Sequence, residues 1–264
     1  MKHKLIIIAI DIGNTSIHLG LFKANKLISQ IRIPTKISRS RLKENIAHFG
    51  LSIKRRHFRT SSAIICSVVP HMNYPLAKLL KKTFDIKVLI LGKDLIVPIK
   101  NLYKKPKSVG EDRLINAFAG KTIYGKPLII IDMGTAITFD IVSKKGEYLG
   151  GIIAPGLNLS LDALDKGTAL LPKLQLPKAN KKFKLIGTET CESIYSGVMI
   201  GSSLMIKGLI RELKHILGKD TKVILTGGDA KLMIPFLKKS VDFIDQTLTL
   251  RGIALLAQIL LDKI

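Results

Sequence analysis

Two short stretches combine the residue types of a phosphate clamp. Asp11-Ile12-Gly13-Asn14-Thr15 follows the apolar run Leu5 to Ile10, and Asp132-Met133-Gly134-Thr135-Ala136 follows Leu128 to Ile131. Each run is rich in β-branched residues and each turn leads into another alternating run, so each reads as a hairpin with an acid at its mouth. Gly lets the backbone come close to a ligand, and Asn and Thr offer donors to phosphate oxygens. Asp is a hard oxygen ligand for the cation that phosphates bring with them. Either copy alone is equally an ordinary turn; their recurrence in the same strand context points to a duplicated site.

The elements that must hold these turns repeat as well. The first half reads as strands Leu5 to Ile10, Ile17 to Phe22 and Leu27 to Ile33, a helix from Arg39 to Phe49, strand Ala63 to Val68, helix Tyr74 to Thr83 and strand Lys87 to Leu91. The second half reads as strands Leu128 to Asp132, Ala136 to Val142 and Tyr148 to Ile153, and helices Leu157 to Asp165 and Cys191 to Leu217. Strand Lys222 to Thr226, helix Ala230 to Lys238 and a last helix from Leu250 follow. Two α/β halves with mixed sheets imply a cleft between them. A helix from Asp112 to Tyr124 ends at the turn Gly125-Lys126-Pro127, which gives an expected boundary between residues 1–124 and 125–264. Leu170 to Lys184, rich in Pro and Lys, reads as a long surface loop, functional or mobile.

Composition narrows the function classes. The chain of 264 residues is 47% hydrophobic, ample for a buried core. Asp11 interrupts the apolar N-terminal run before signal-peptide length, and no other stretch reads as long enough to span a bilayer, so a cytoplasmic protein with no membrane partner is expected. Cys66 and Cys191 lie far apart without metal spacing, and the six histidines offer no zinc pattern. A net charge of +24 would suit nucleic acid, but the lysines are dispersed, Trp is absent and aromatics make up 5%. No specific nucleic-acid partner is expected, and a positive field would draw in small anionic substrates.

Four more motifs accompany the paired turns: Ser67-Val68-Val69-Pro70, Gly110-Glu111-Asp112-Arg113, Gly150-Gly151-Ile152-Ile153-Ala154-Pro155-Gly156 and Thr226-Gly227-Gly228-Asp229-Ala230. Tyr103 stands ahead of Gly110, and Gly187 to Thr190 precedes a helix carrying Ser196-Gly197. In this order the sequence resembles the type III pantothenate kinases, of the acetate-kinase, sugar-kinase, heat-shock-chaperone and actin superfamily. The resemblance implies two ribonuclease-H-like domains with ATP in the cleft, and phosphorylation of pantothenate to 4'-phosphopantothenate, the first step of coenzyme A biosynthesis.

By the same resemblance, the run Asp11, Ile12, Gly13, Asn14, Thr15, Ser16, Ile17 and His18 matches the first ATP loop, Thr135 the second, and Gly227 and Gly228 the turn beside adenosine. Asp132 matches the site of a monovalent cation, K⁺ or NH₄⁺, and Asp11 would hold Mg²⁺ through water. Tyr103, Gly110, Glu111, Asp112 and Arg113 match the pantothenate pocket, with Asp112 as general base. Thr190 matches a substrate contact supplied by the other subunit of a homodimer. Glu111 replaces a residue more often small in the family, and Thr188-Glu189 replaces the commoner Lys-Asn.

Physics supports the roles independently. Phosphoryl transfer needs charge neutralisation at the phosphates and a carboxylate to accept the hydroxyl proton. Asp112 opens a helix, where free N–H groups and the dipole favour its ionised form, and Arg113 can hold an anion. An Asp in that position is otherwise a helix cap, Arg113 a surface ion-pair partner, and Tyr103 a surface aromatic. Two other classes stay open: a non-catalytic accessory or regulatory protein on this fold, and a kinase of another small substrate. Three acids that would repel phosphate favour the enzyme.

Overall fold

The computed structural model describes residues 6–54, 60, 62–178 and 181–261. Leu5, the expected start of the first strand, lies outside them. The chain begins with an antiparallel meander of β1 (Ile6–Ile12), β2 (Ser16–Lys23) and β3 (Lys26–Pro34), followed by α1 (Arg39–Lys54), β4 (Ser62–Ser67), α2 (Pro70–Phe84) and β5 (Lys87–Ile90). β4 and β5 add in parallel beside β1, giving the order β3-β2-β1-β4-β5. α2 starts ahead of the expected Tyr74 because Pro70 occupies its first turn, where a missing N–H costs nothing.

α3 (Glu111–Tyr124) leads into a second meander of β6 (Leu128–Met133), β7 (Ala136–Val142) and β8 (Tyr148–Pro155). Then come α4 (Leu157–Gly167), α5 (Thr190–Tyr195), a π-helical stretch Ser196–Gly201, α6 (Ser202–Leu217), β9 (Lys222–Thr226), α7 (Ala230–Leu237), β10 (Phe243–Ile244) and α8 (Leu248–Leu261). This sheet has the order β10-β9-β6-β7-β8, with β9 and β10 parallel to β6, the same topology as the first. The expected α/β class with two mixed sheets is the observed one. β10 escapes a reading of the sequence because its two residues carry no periodicity.

The residues form two compact units that are not contiguous in sequence. One takes the chain up to Ile99, Lys105–Ala119 and the segment from Leu248 on; the other takes Lys100–Lys104 and Gly120–Thr247. A single cut after Tyr124 therefore differs from this grouping in three places: Lys100–Lys104, residues 120–124 and the segment from Leu248 on. Lys100–Lys104 joins the second unit because it runs along β8: the Leu102 amide donates to Tyr148 O (2.9 Å) and the Tyr148 amide to Lys100 O (2.8 Å). α8 joins the first because its apolar face covers β1 and β4.

In the first unit β1 is buried on both faces, which is why its sequence is an unbroken apolar run. Ile6, Ile8, Ile10 and Ile12 face the side covered by α1 and α2, packing with Leu42, Ile46, Leu76 and Leu80. Ile7 and Ala9 face the other side, with Ile115 and Phe118 of α3 and Ile253, Ala254 and Ala257 of α8. Gly252 lets these two helices meet, since a Cβ there would lie 2.9 Å from both the Ala119 Cβ and the Ile115 carbonyl oxygen. Beside it the Thr249 hydroxyl donates to Asn116 Oδ1 (2.8 Å). Both contacts fix α3, the helix that starts at the Gly110–Arg113 motif.

In the second unit, Ile129, Ile131, Val223 and Leu225 pack against Leu157, Leu161, Ile206 and Met233. The stretch Leu170 to Lys184 is irregular where described, yet it is anchored: Leu171, Leu174, Leu176 and Phe183 pack on this core and the Tyr195 hydroxyl donates to Gln175 O (2.8 Å). The expectation that no stretch could span a bilayer needs correction. α5, the π-helical stretch and α6 form one helix of 28 residues, Thr190–Leu217, long and apolar enough by length and composition. Ile194, Val198, Met199, Ile206 and Ile210 commit one side of it to the core, the pattern of an amphipathic core helix.

Candidate active site

The first turn sits at the carboxyl end of β1. Its loop is closed by the Gly13 amide donating to Ser16 O (3.0 Å) and is buttressed by Thr35, whose hydroxyl donates to Gly13 O (2.6 Å) and whose amide donates to Thr15 O (3.0 Å). Asn14 and Thr15 are exposed at the tip and Asp11 is half-buried. Ile12 and Ile17 bury their side chains in the core, so only their main chain can face a ligand. On β2, Ser16 Oγ accepts from Arg32 Nε (3.0 Å) and His18 Nε2 lies 3.0 Å from Gln30 Oε1. Burial pushes the His18 pKa below its ordinary value, with the Arg32 charge adding to the effect and the Gln30 hydrogen bond opposing it.

The parallel register sets Asp11 opposite Cys66 of β4. The buried Cys66 thiol is pushed well above its usual pKa by desolvation, then by the charges of Asp11, Asp112 and Glu111. One thiol thus feels all three acids, so the first unit gathers Asp11 and the start of α3 at the same sheet edge. Val68, at the end of the Ser67-Val68-Val69-Pro70 motif's strand, packs near Gly110.

Gly110 leaves room for its neighbour, since a Cβ there would displace the Asp112 carboxyl from its present position. The same oxygen accepts from the Arg113 amide (2.9 Å). Desolvation raises the Asp112 pKa, while the Arg113 amide and guanidinium pull it back. This corrects the expectation that the helix start would dominate: burial does, because the carboxyl is turned inward over Gly110. Arg113 is only 9% exposed, which removes the surface ion-pair reading. Glu111 lies over Gly92, whose Cβ would come within 2.7 Å of Glu111 Oε1 and whose φ of +78° also demands glycine. Burial, then the Asp112 charge, raises the Glu111 pKa.

The second unit repeats the device at the end of β6. The Gly134 amide donates to Ala136 O (3.0 Å), so this turn is one residue shorter than the first, and Thr135 is exposed at its tip. Gly227, at φ +96°, lies so close that a Cβ would strike Asp132 Oδ1 and the Met133 backbone. The Asp229 amide donates to Met133 O (2.9 Å), tying the β9–α7 turn to the β6–β7 turn and leaving Gly228 exposed beside them. From the other side Gly156 donates its amide to Thr135 O (3.1 Å), and a Cβ there would meet the Gly134 and Thr135 carbonyls. Asp132, Thr135, Gly227 and Gly228 therefore form one cluster.

Tyr103 belongs to this unit, its ring seated on Gly150 (φ +129°), where a Cβ would lie 3.3 Å from Tyr103 Cδ2. Thr190 opens α5 and is exposed. The Thr188 amide and hydroxyl donate to Glu192 Oε2 (3.0 and 2.9 Å) and hold that carboxyl below its usual pKa, so the departure at Thr188 ties the segment ahead of α5 to the first turn of the helix. Thr35 and Gly156 are the supports that sequence reasoning missed. Gly156 ended a quoted motif; Thr35 had no signal, since it meets Gly13 only through the β2–β3 pairing.

Among the described residues, no three His, Cys, Asp or Glu side chains converge on a metal position. Single half-buried carboxylates such as Asp11 and Asp132 suit ions that keep much of their water or share phosphate oxygens. In the first unit a carboxyl of raised pKa beside a buried Arg suits proton transfer, and in each unit a tight turn with an exposed Thr suits phosphate oxygens.

A family model for type III pantothenate kinase matches residues 7–212. The chain belongs to the type III pantothenate kinase family. A type III pantothenate kinase from Persephonella marina is 41% identical over 252 residues, covering 94% of this chain and 96% of that one. Another from Halalkalibacterium halodurans is 34% identical over 259 residues, covering 95% and 98%. Among solved structures, a Campylobacter jejuni protein described as a Baf family transcriptional activator aligns with a TM-score of 0.57 at 22% identity, over 97% of this chain and 99% of that one. ADP-bound MreB5 of Spiroplasma citri aligns with a TM-score of 0.52 at 12% identity, over 99% and 98%. These two likenesses speak for the actin-like fold alone.

The contact between Gly110 and Asp112 makes a specific demand on this pantothenate kinase family member. Gly110→Ala should lower kcat by about a hundredfold, the scale expected when a catalytic group is misplaced by about 1 Å. Its melting temperature should stay close to that of the wild type, because a Cβ there would crowd only the Asp112 carboxyl. Unchanged turnover with an intact fold would show that the carboxyl position does not depend on Gly110.

Proposed function

We propose that the chain transfers the γ-phosphoryl group of ATP to pantothenate, giving 4'-phosphopantothenate at the entry to coenzyme A synthesis. The observation that carries this reading is the Asp112 carboxyl, held by Gly110 and Arg113 and raised in basicity by burial, in a member of the pantothenate kinase family. Asp112 accepts the proton of the substrate hydroxyl as its oxygen attacks phosphorus. Arg113 holds an anionic group, and Gly110, Glu111, Tyr103 and Thr190 complete the substrate pocket. The turns Asp11 to His18 and Thr135, with Gly227 and Gly228, hold ATP through main-chain amides and short hydroxyl side chains. Such a kinase works in the cytoplasm, where ATP is at hand and the free Cys66 and Cys191 stay reduced.

Two ions fit the acids present. Asp11 would hold Mg²⁺ through water, and Asp132, with the Gly227 and Met133 backbone against it, would hold K⁺ or NH₄⁺; when bound, both ions screen the charge of the triphosphate. The working unit in this reading is a homodimer, with Thr190 of one subunit serving the pocket of the other. Its support is the outer face of the helix Thr190–Leu217. A Cβ at Gly197 or Gly201 would meet nothing within 4 Å, and Leu204 beside them is 56% exposed, so the face can seat a second copy closely.

A coupled assay with ATP against pantothenate, sugars and acetate tests the assignment, which fails if a sugar or acetate is turned over faster than pantothenate. Asp112→Asn should reduce turnover by roughly 10²- to 10⁴-fold with ATP affinity nearly unchanged. Retention of more than about a tenth of the rate would remove Asp112 as the base. The sign of the pH dependence follows from the raised pKa. Burial favours the protonated carboxyl, so its contribution to stability is present at acid pH and is lost as pH rises through the raised value. Activity needs the ionised form, so the acid limb of the kcat profile should have its midpoint above that of an ordinary Asp.

Activity in a tetramethylammonium buffer with Mg²⁺ should be low and should rise on titration with KCl at fixed ionic strength. Full activity before potassium or ammonium is added contradicts the role of Asp132.

Mixing inactive subunits tests the shared pocket. Asp112→Asn and Thr190→Val chains, refolded together in equal amounts, should recover roughly a quarter of wild-type activity under random pairing, because half the dimers then carry one intact site. No recovery, with mixed dimers shown by mass spectrometry, places Thr190 in its own subunit's site or in none.

A further inference from the structure

The turns of the candidate site occupy the carboxyl ends of β6 and β9, and a hollow lined by five Lys and Arg residues lies at the opposite end of the same sheet. There a concavity of about 430 Å³ opens between the last turns of α6 and the segment joining α7 to β10. Lys207, Arg211 and Lys214 stand at i, i+4 and i+7 on α6 and so share one face. Lys219 follows in the loop before β9, and Lys239 approaches from beyond α7. Ile210 and Val241 provide apolar wall, and His215 is at the rim.

Asp242 is the single acid among the lining residues, and it is already engaged. Its Oδ2 accepts the Val223 amide at 2.7 Å and sees Lys214 Nζ only at 3.9 Å. Arg211 pairs with Glu212 outside the concavity, with both side chains largely exposed. Among the described residues no carboxylate lies within ion-pair distance of Lys207, Lys219 or Lys239. Of the five cations lining the hollow, two thus have a carboxylate within ion-pair distance and three do not, an excess of like charge that favours a bound anion. The hollow falls within the size range of small-ligand sites. Its size suits a compact anion better than a duplex with phosphates spread along its length.

The geometry points to a second anion site in this concavity, taking a compact polyphosphate: inorganic tripolyphosphate or the phosphate tail of a nucleotide. β9, five residues long, separates it from the Gly227–Asp132 cluster by roughly 15 Å of strand. The site is therefore distinct from the ATP-binding turns, and the inference stands whether or not the kinase assignment does.

The test compares the full-length wild type with Lys214→Glu/Lys239→Glu, by calorimetric titration of sodium tripolyphosphate without Mg²⁺ at about 0.15 M salt. The wild type should bind one more tripolyphosphate per chain than the variant, and this extra binding should weaken as salt rises. The variant should keep its kcat and its KM for ATP. Hydrogen exchange on the wild type should show tripolyphosphate protecting residues 207–219 and 239–242, a readout that needs no variant to fold. Repeating the titration with ADP separates the sources: equal filling of the hollow means that the phosphate tail alone is read, and weaker filling favours the inorganic chain. Equal stoichiometry in both proteins, protection confined to residues 132–136 and 226–229, or a short DNA duplex that displaces tripolyphosphate at lower concentration would each overturn the proposal.

Discussion

The constraint on which the site depends is the absence of a side chain at three points. Gly110, Gly227 and Gly156 each bring main chain to within a distance that a Cβ would forbid, the first two against the carboxylates of Asp112 and Asp132 and the third against the Gly134–Thr135 carbonyls. A carboxylate in such a place is held by shape as well as by hydrogen bonds, and its solvation is set by the backbone beside it. This is how Asp112 comes to be desolvated at a helix start, a position that would otherwise keep it acidic. Close-packed cores on both faces of the first sheet and against the second keep those approaches fixed.

The duplication explains how so few residue types suffice. Each half sets an acid at the end of its central strand, flanks it with an antiparallel partner and a parallel one, and closes the edge with a glycine-bearing turn. The halves then diverge. The first surrounds its acid with Glu111, Asp112 and Cys66, a dense electrostatic cluster whose members raise one another's proton affinity. The second surrounds its acid with backbone, through Gly227, Met133 and Gly134. In the proposed reading the first half carries the proton acceptor beside one phosphate-binding turn, and the second offers chiefly uncharged donors and acceptors.

Much of this was legible in the sequence because the elements that matter have strong local signals. β1 and β6 are unbroken apolar runs, and their turns carry the only chemistry a tight hairpin allows. The long helix from Thr190 and the Gly110–Arg113 helix start were equally readable. What could not be read depended on partners distant in sequence. Thr35 reaches Gly13 only because β3 returns beside β2, and Lys100–Lys104 joins the second sheet only because it finds the edge of β8. The inward turn of Asp112 is a matter of side-chain direction, which no spacing rule encodes.

The grouping of α8 with the first unit has a consequence for how the chain comes into being. Ile7, Ala9, Phe22 and Ile64 form one face of the first sheet, and their cover includes Ile253, Ala254 and Ala257, which follow the whole of the second unit along the chain. Every residue of the second unit leaves the ribosome before that cover does. The later-encoded unit can close first, while the earlier-encoded sheet waits with one apolar face incompletely covered. The interval before α8 docks would then leave that apolar face open to chaperones, proteases and other copies of the chain.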